Sequence, residues 1–252
     1  LADIIKNFRE QNKDFTKLPE KVAIQINDTQ PALAIVELLR ILIDEEQMEW
    51  SEAWNIVQKT CAFTNHSIFA VAMEKWDTEI LGRNLPRHLE LIYLINHIWL
   101  TNLRKEGRAS EQQIAELSLV EEHPQKKIRM AALCILGSHT VNGVSAVHTY
   151  QITNSLFKNF ATYFPERFQN ITHGCSVRRW VCEANPALRD FLNDQLGSND
   201  FITNYAVFND LEVRVDSQVF QKKWQKIKRK AKSKIVAWLD QNMDIDISED
   251  FM

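Results

Sequence analysis

Between Phe168 and Trp180 the sequence F-Q-N-I-T-H-G-C-S-V-R-R-W follows neither the 3.6-residue period of a helix nor the 2-residue period of a strand. It brings His173, Gly174, Cys175, Arg178, Arg179 and Trp180 into thirteen positions. The patterns before it are apolar-rich and helical, and a basic, then acidic, helix comes after it. The stretch therefore reads as a structured junction between two neighbourhoods, not as an element of its own. The 252 residues allow one large domain or two small ones, and only six glycines and six prolines argue for a helix-rich chain with few tight turns.

Ahead of the junction, Leu1–Phe8 has helical character. Val22–Ile26 (V-A-I-Q-I) is short, apolar and β-branched, and predicts a buried strand ending at Asn27-Asp28. Pro31 suits the first turn of a helix that is apolar nearly all round through Ile43. Ser51 is expected to cap a second helix. Pro86 opens a long one that Gly107 ends, and Ser110-Glu111-Gln112-Gln113 is a capping-box pattern. Met130–Leu136 is helix or strand, since periodicity cannot arbitrate. A helical segment runs through His148 to about Phe160. After the junction, Pro186 starts a helix that stops at Gly197. Phe220–Leu239 forms a long helix with eight Lys or Arg between Lys222 and Lys234, and Trp224, Ile227, Ile235 and Trp238 are expected to form its buried stripe. An acidic segment, Asp240–Met252, closes the sequence.

A net charge of -3 gives no electrostatic reason to expect nucleic acid or a membrane surface as partner. No apolar run is long enough to span a bilayer and no signal-peptide layout opens the chain. Four cysteines without paired spacing read as reduced thiols, hence a cytoplasmic protein. Leu1 in place of an initiator methionine suggests an excised or processed segment. His173, Cys175 and Cys182 match no closed tetrahedral zinc pattern, so no metal is expected. Cys175 beside two arginines is a candidate for an activated thiol, but no base is designated for it. Asp28 and His66 form a candidate acid–base pair, with a buried, hydrogen-bonded His66 as the simpler reading. From pattern alone the chain is a mostly helical domain.

Four stretches in order carry more: K-V-A-I-Q-I-N-D-T-Q-P-A-L-A-I at Lys21–Ile35, K-T-C-A-F-T-N-H at Lys59–His66, L-P-R-H-L-E-L-I-Y-L-I at Leu85–Ile95, and R-M-A-A-L-C-I-L-G-S-H-T-V-N-G-V at Arg129–Val144. The junction and Asn185-Pro186 continue the series. Together they resemble the central part of the α-1,4-glucan phosphorylases (glycogen, starch and maltodextrin phosphorylases), and the resemblance runs along nearly the whole chain. It implies a partial piece of a two-domain α/β glycosyltransferase fold, mainly α with a few short strands. Residues 1–170 would belong to the N-terminal domain and 171–252 to the helical start of the C-terminal one. It implies glucan plus phosphate giving glucose 1-phosphate, with pyridoxal phosphate working through its phosphate group.

Position by position, the resemblance implies that His66 hydrogen-bonds the sugar, that Asp28 and Glu74 line the same pocket, and that Trp180 lies near the cofactor. His173 stands where the family has a sugar-binding asparagine in T-N-G. Gln30 replaces a pocket histidine, Val177 a proline, Ala132 a histidine or asparagine of M-A-H-L or M-A-N-L, and Ala70–Met73 the family's P-E-A-L. The family's K-R-I-H-E-Y-K-R stretch, its glycine-rich loops and its cofactor lysine have no counterpart here, so no complete catalytic set is expected and the chain alone should be inactive. The alternative is a degenerate copy that binds glucan or a full-length subunit. As an excised piece the chain should expose apolar surface, which predicts homo-oligomers or aggregation and poor solubility.

Overall fold

The structure, a computed structural model, describes residues 1–107, 109–243 and 247–248, so most of the acidic C-terminal segment lies outside the described residues. The chain divides into two compact units, Leu1–His173 and Gly174–Met252.

The first unit opens with α1 (Ala2–Gln11), α2 (Leu18–Lys21), β1 (Ile24–Asn27), α3 (Leu33–Arg40), α4 (Trp50–Thr60) and β2 (Cys61–Thr64). It continues through β3 (Lys75–Asp77), α5 (Thr78–Asn84), α6 (Pro86–Glu106), α7 (Glu111–Leu117), β4 (Val120–Glu121) and β5 (Lys127–Arg129). It ends with α8 (Met130–Leu136), β6 (Val141–Gly143), α9 (Ala146–Gln151), α10 (Lys158–Tyr163) and β7 (Phe168–Asn170). The second unit contains α11 (Pro186–Leu196) and α12 (Gln218–Met243), with 3₁₀ turns between them. The fold is thus mainly helical with short strands, as expected, and among the described residues no helix is long and apolar enough to cross a membrane.

The strands of the first unit form two sheets. One is parallel, in the order β1-β2-β6-β7, and the other antiparallel, in the order β3-β5-β4. Parallel strands need long crossovers, and the helices that supply them cover the sheet. The predicted strand forms two residues later than its apolar run and takes in Asn27, because pairing with β2 extends to Asn27↔Thr64. Ile26, Phe63 and Val141 lie side by side across β1, β2 and β6, each 1% exposed or less. The undecided run Met130–Leu136 is a helix buried on every side, which is why its composition carries no period. Gly137 is required by close packing: a Cβ there would sit 2.5 Å from Ile35 Cγ2.

Several punctuation marks hold. Pro86 starts α6, and Gly107 and Gly197 end their helices at φ 63° and 74°. Ser110 Oγ accepts from Gln113 N–H while the Gln113 side chain accepts from Ser110 N–H, a complete capping box. Ser110→Ala is expected to lower stability by about 1 kcal/mol, read as a shift in the urea midpoint.

Three expectations are corrected. Ser51 is not a cap, since α4 begins at Trp50 after Glu49, which makes no side-chain cap bond. The junction is not irregular throughout. It begins as strand β7, which adds to β6, and ends in a π-helical turn, Arg178–Glu183. The strand gets its order from pairing, which apolar periodicity does not register. The stripe on α12 is not buried along its length. Phe220 and Ile227 join the small core of Val177, Phe191, Leu192 and Phe201, and Trp224 lies 6.1 Å from Phe191, but Ile235 and Trp238 are 51% and 55% exposed. The reason is length: α11 has 11 residues and α12 has 26, or about 16 Å against 39 Å. The second half of the stripe outruns its cover.

Candidate functional site

In parallel sheets, polar residues just past the carboxyl ends of the strands share one edge, and ligands bind there. That edge here carries Asn27 at the end of β1 and Asp28 after it, Asn65-His66 after β2, Gly143 at the end of β6 and Val144 after it, and Ile171–His173 after β7.

The turn after β1 is set by Asp28. Its N–H still donates to Thr64 O (2.8 Å), so the ladder persists one residue past the strand. Its φ of 59° then turns the chain out of the sheet, a conformation that aspartate tolerates better than most residues. Asp28 Oδ1 accepts from Thr29 N–H at 2.9 Å. Thr29 is 3% exposed, and its hydroxyl donates to Glu74 Oε2 at 2.8 Å. The other oxygen, Glu74 Oε1, accepts from Trp76 Nε1 at 2.8 Å, and Glu74 O accepts from Met130 N–H at 3.2 Å. The Glu74 carboxylate is therefore oriented from two sides by donors 45 residues apart in one case and two in the other.

After β2, Asn65 N–H donates to Asn142 O (3.0 Å), and the fully buried Asn65 side chain accepts from Ser67 N–H (3.1 Å). This closes the turn around His66. His66 Nε2 lies 2.6 Å from Asn27 Oδ1. An amide oxygen only accepts, so Nε2 carries the proton and Nδ1 of the neutral ring is left as an acceptor. The ring is hydrogen-bonded as expected but exposed, not buried. Its position past the strand end lifts it clear of the core. Thr64 Oγ1 donates to Asn142 Oδ1 and accepts from Gln25 Nε2, both at 2.8 Å, tying β1, β2 and β6 together just below the edge.

The structure thus brings Asp28, His66 and Glu74 together through Asn27 and Thr29. It does not make Asp28 and His66 a direct pair: the imidazole binds Asn27, and one oxygen of the carboxylate binds Thr29. His173 is exposed on the same edge, where its N–H donates to Val144 O at 3.1 Å. Trp180 belongs to the second unit, 62% exposed. Gln30 is exposed beside Asp28. Glu74 also lines a cavity of about 580 Å³ whose wall includes Ala132, Phe157 and the Lys75–Glu121–Arg129 ion pairs. The hydrogen bond from Lys75, aided by its charge and by Arg129, holds the Glu121 carboxyl below the usual range.

Covalent chemistry by a thiol finds no support at this edge. Burial pushes the Cys61 thiol up to about 12, and burial, reinforced by the charges of Asp28 and Glu74, pushes Cys134 up as well. Cys175 is exposed and Cys182 half-buried in the second unit. Among the described residues no group of three His, Cys, Asp or Glu is placed to hold a metal ion. What the edge offers is two carboxylate acceptors, an imidazole with a free nitrogen, and amides in fixed orientation. That set suits neutral polyols, whose hydroxyls need several aimed acceptors and donors.

Sequence reasoning missed Asn27, Asn65, Asn142 and His148. A signal was present: N-D-T, T-N-H and V-N-G each place an asparagine at or just past a short apolar run, where a strand ends.

Comparison with known proteins gives a consistent result. The sequence profile of the carbohydrate phosphorylase family matches residues 1–252. Glycogen phosphorylase of Saccharomyces cerevisiae is 40% identical over 252 residues, covering 98% of this chain and 28% of that protein. Glycogen phosphorylase 2 of Dictyostelium discoideum is 38% identical, covering 100% of this chain and 25% of that protein. The muscle form of glycogen phosphorylase from Homo sapiens is 39% identical, covering 98% and 30%. The chain therefore spans about a quarter to a third of the length of the curated relatives it matches.

Proposed function

Because this chain belongs to the carbohydrate phosphorylase family, we propose that it forms the sugar-binding wall of an α-1,4-glucan phosphorylase, which releases glucose 1-phosphate from glucan and inorganic phosphate. One observation carries the proposal: the two neighbours of Asp28 in the turn after β1 hold the other two residues that the resemblance assigns to the pocket, Asn27 bonding His66 and Thr29 bonding Glu74, beside the carboxyl edge of the parallel sheet. In this reading His66 Nδ1 accepts a hydrogen bond from a sugar hydroxyl while Asn27 fixes the ring. Asp28 and Glu74 accept from further hydroxyls with their unused lone pairs, and His173 supplies one more contact in place of an amide. Holding the glucosyl ring in one orientation is the part of catalysis that such a wall provides, since a fixed ring needs less reorganisation on the way to an oxocarbenium-like transition state.

Residues 1–170 would then be part of the family's N-terminal domain and 171–252 the helical start of its C-terminal one. Glucan and phosphate are the substrates of this reading, a homo-oligomer or a full-length phosphorylase subunit its protein partner, and the cytoplasm its setting. Membership implies pyridoxal phosphate as the family's cofactor. Trp180, which the resemblance places near that cofactor, and the neighbouring Arg178 and Arg179 are all exposed. The chemistry proposed rests on the chain's own side chains.

A second reading is a glucan- or subunit-binding copy without turnover. It is favoured by the substitutions at the edge, Gln30 and His173 being exposed on it and Ala132 lining the cavity beside Glu74. Two measurements decide. Calorimetric titration of the chain with maltopentaose is expected to give saturable binding, weakened about tenfold in His66→Ala, the loss of one well-placed hydrogen bond. Absence of binding overturns both readings of the edge as a sugar site. Incubation with glycogen and phosphate then bears on the second reading: glucose 1-phosphate in the wild type, lost in His66→Ala, overturns it.

A further inference from the structure

His148 has a partner for its backbone N–H and for each of its two ring nitrogens. Its backbone N–H donates to Ser145 Oγ at 3.1 Å, capping the first turn of α9. Its Nδ1 accepts from Val144 N–H at 3.1 Å, and its Nε2 lies 3.4 Å from Ser67 O. A backbone N–H can only donate and a backbone carbonyl can only accept. The geometry is thus compatible with one form of the ring, neutral with its proton on Nε2.

The two backbone partners are what make this placement consequential. Ser67 directly follows His66 in the turn after β2. Val144 follows Gly143 at the end of β6, and its carbonyl accepts from His173 N–H at 3.1 Å. The half-buried imidazole of His148 therefore stands between the turn that carries His66 and the segment that carries His173, bonded to the first directly and to the second through one residue, Val144. Gly143 makes room for it: a Cβ there would lie 3.0 Å from His148 Nδ1 and 2.9 Å from Thr149 Cα.

We propose that His148, as its Nε2-protonated tautomer, is the positioning residue that sets the separation of His66 and His173 across the sugar site. The role rests on the sugar-site reading above but differs from it, because His148 itself touches no sugar. It holds fixed the spacing between two groups that do, and a bound glucosyl ring spans a fixed distance. The Val144 arm is the stronger of the two, since the contact to Ser67 is long.

The test combines ring-nitrogen NMR with three variants of the 252-residue chain. In the wild type, His148 Nδ1 is expected to report as unprotonated and the Val144 amide as protected from hydrogen exchange. His148→Ala removes both arms. Exchange at Val144 should rise, the Ser67 and His173 amides should shift, and maltopentaose affinity should fall about three- to tenfold, the range for one lost hydrogen bond. His148→Asn places an amide oxygen where Nδ1 stood and should restore the Val144 arm and most of the affinity. His148→Gln reaches toward Ser67 and should restore less. A residue that merely filled space would not rank Asn above Gln.

A protonated Nδ1 in the wild type, or unchanged affinity in a folded His148→Ala, overturns the proposal. The wild-type measurement decides even if His148→Ala fails to fold. If the wild type binds no maltopentaose while Val144 shows the expected protection, lost in His148→Ala, the sugar reading fails and the link between the two segments stands.

Discussion

Phe63→Ala is expected to lower stability by about 3–5 kcal/mol, the range for deleting a fully buried phenylalanine ring. Phe63 is 0% exposed and lies in β2, hydrogen-bonded on one side to β1 and on the other to β6, with Ile26 and Val141 as its register neighbours. Its own N–H donates to Thr140 O at 2.9 Å. Backbone bonds on both sides keep the strands from closing over the space, so most of the cavity persists. Against the roughly 5–15 kcal/mol that holds a domain together, the loss is a large share, and the urea midpoint should fall accordingly. The amides of Asp28 and Asn65, whose bonds extend the same ladder, should exchange faster. Val71→Ala is the control: that side chain is 95% exposed, and the change should stay within about 0.5 kcal/mol. A loss below about 1 kcal/mol for Phe63→Ala would contradict the place of β2 inside the sheet.

The same strand explains why the fold was partly legible. Local physics leaves local marks: Pro86, Gly107, Gly197 and the Ser110–Gln113 box punctuate helices through backbone geometry that depends only on near neighbours, and each was readable. Long-range pairing leaves none. Phe168–Asn170 is ordered by β6, and Met130–Leu136 is helical in a fully buried setting where every face is apolar. The α12 stripe failed for a related reason. Its spacing states which face is apolar, while the extent of cover depends on the length of α11.

The site was legible in a different way. As one sugar pocket, Asp28, His66 and Glu74 came from resemblance to a family; from the residues alone Asp28 and His66 were only a candidate acid–base pair, and nothing in the spacing brings Glu74 to them. The structure adds the residues that orient them. Asn27 and Thr29 flank Asp28 in sequence and touch His66 and Glu74 in space, so the chain's order conceals a cross-link that the sheet makes direct. Asn65 and Asn142 are recognisable only once three asparagines are placed at the ends of three adjacent parallel strands. Their role is to satisfy turn backbone and neighbouring side chains.

In the proposed reading Glu74 serves both stability and recognition, and its Ala and Gln variants should separate them. Glu74→Ala strips the acceptor from the Thr29 hydroxyl, which is 3% exposed. An unsatisfied buried hydroxyl costs about 1–3 kcal/mol. The Asp28-Thr29 turn, already at a positive φ, loses its anchor as well. The expected result is a stability loss of about 2–3 kcal/mol together with at least about tenfold weaker maltopentaose binding, equivalent to 1.4 kcal/mol or more. Glu74→Gln has a different outcome. Its carbonyl oxygen can accept from Trp76 Nε1 and its amide can donate to Thr29 Oγ1, since a hydroxyl both gives and receives. Stability should then hold within about 1 kcal/mol, while the lost charge and acceptor capacity weaken sugar binding about three- to tenfold. Urea unfolding and calorimetry on the same samples read both quantities. If Glu74→Gln bound maltopentaose as tightly as the wild type, the carboxylate would be a strut for the Asp28-Thr29 turn and not a sugar ligand. If Glu74→Ala were as stable as the wild type, even that role would be lost.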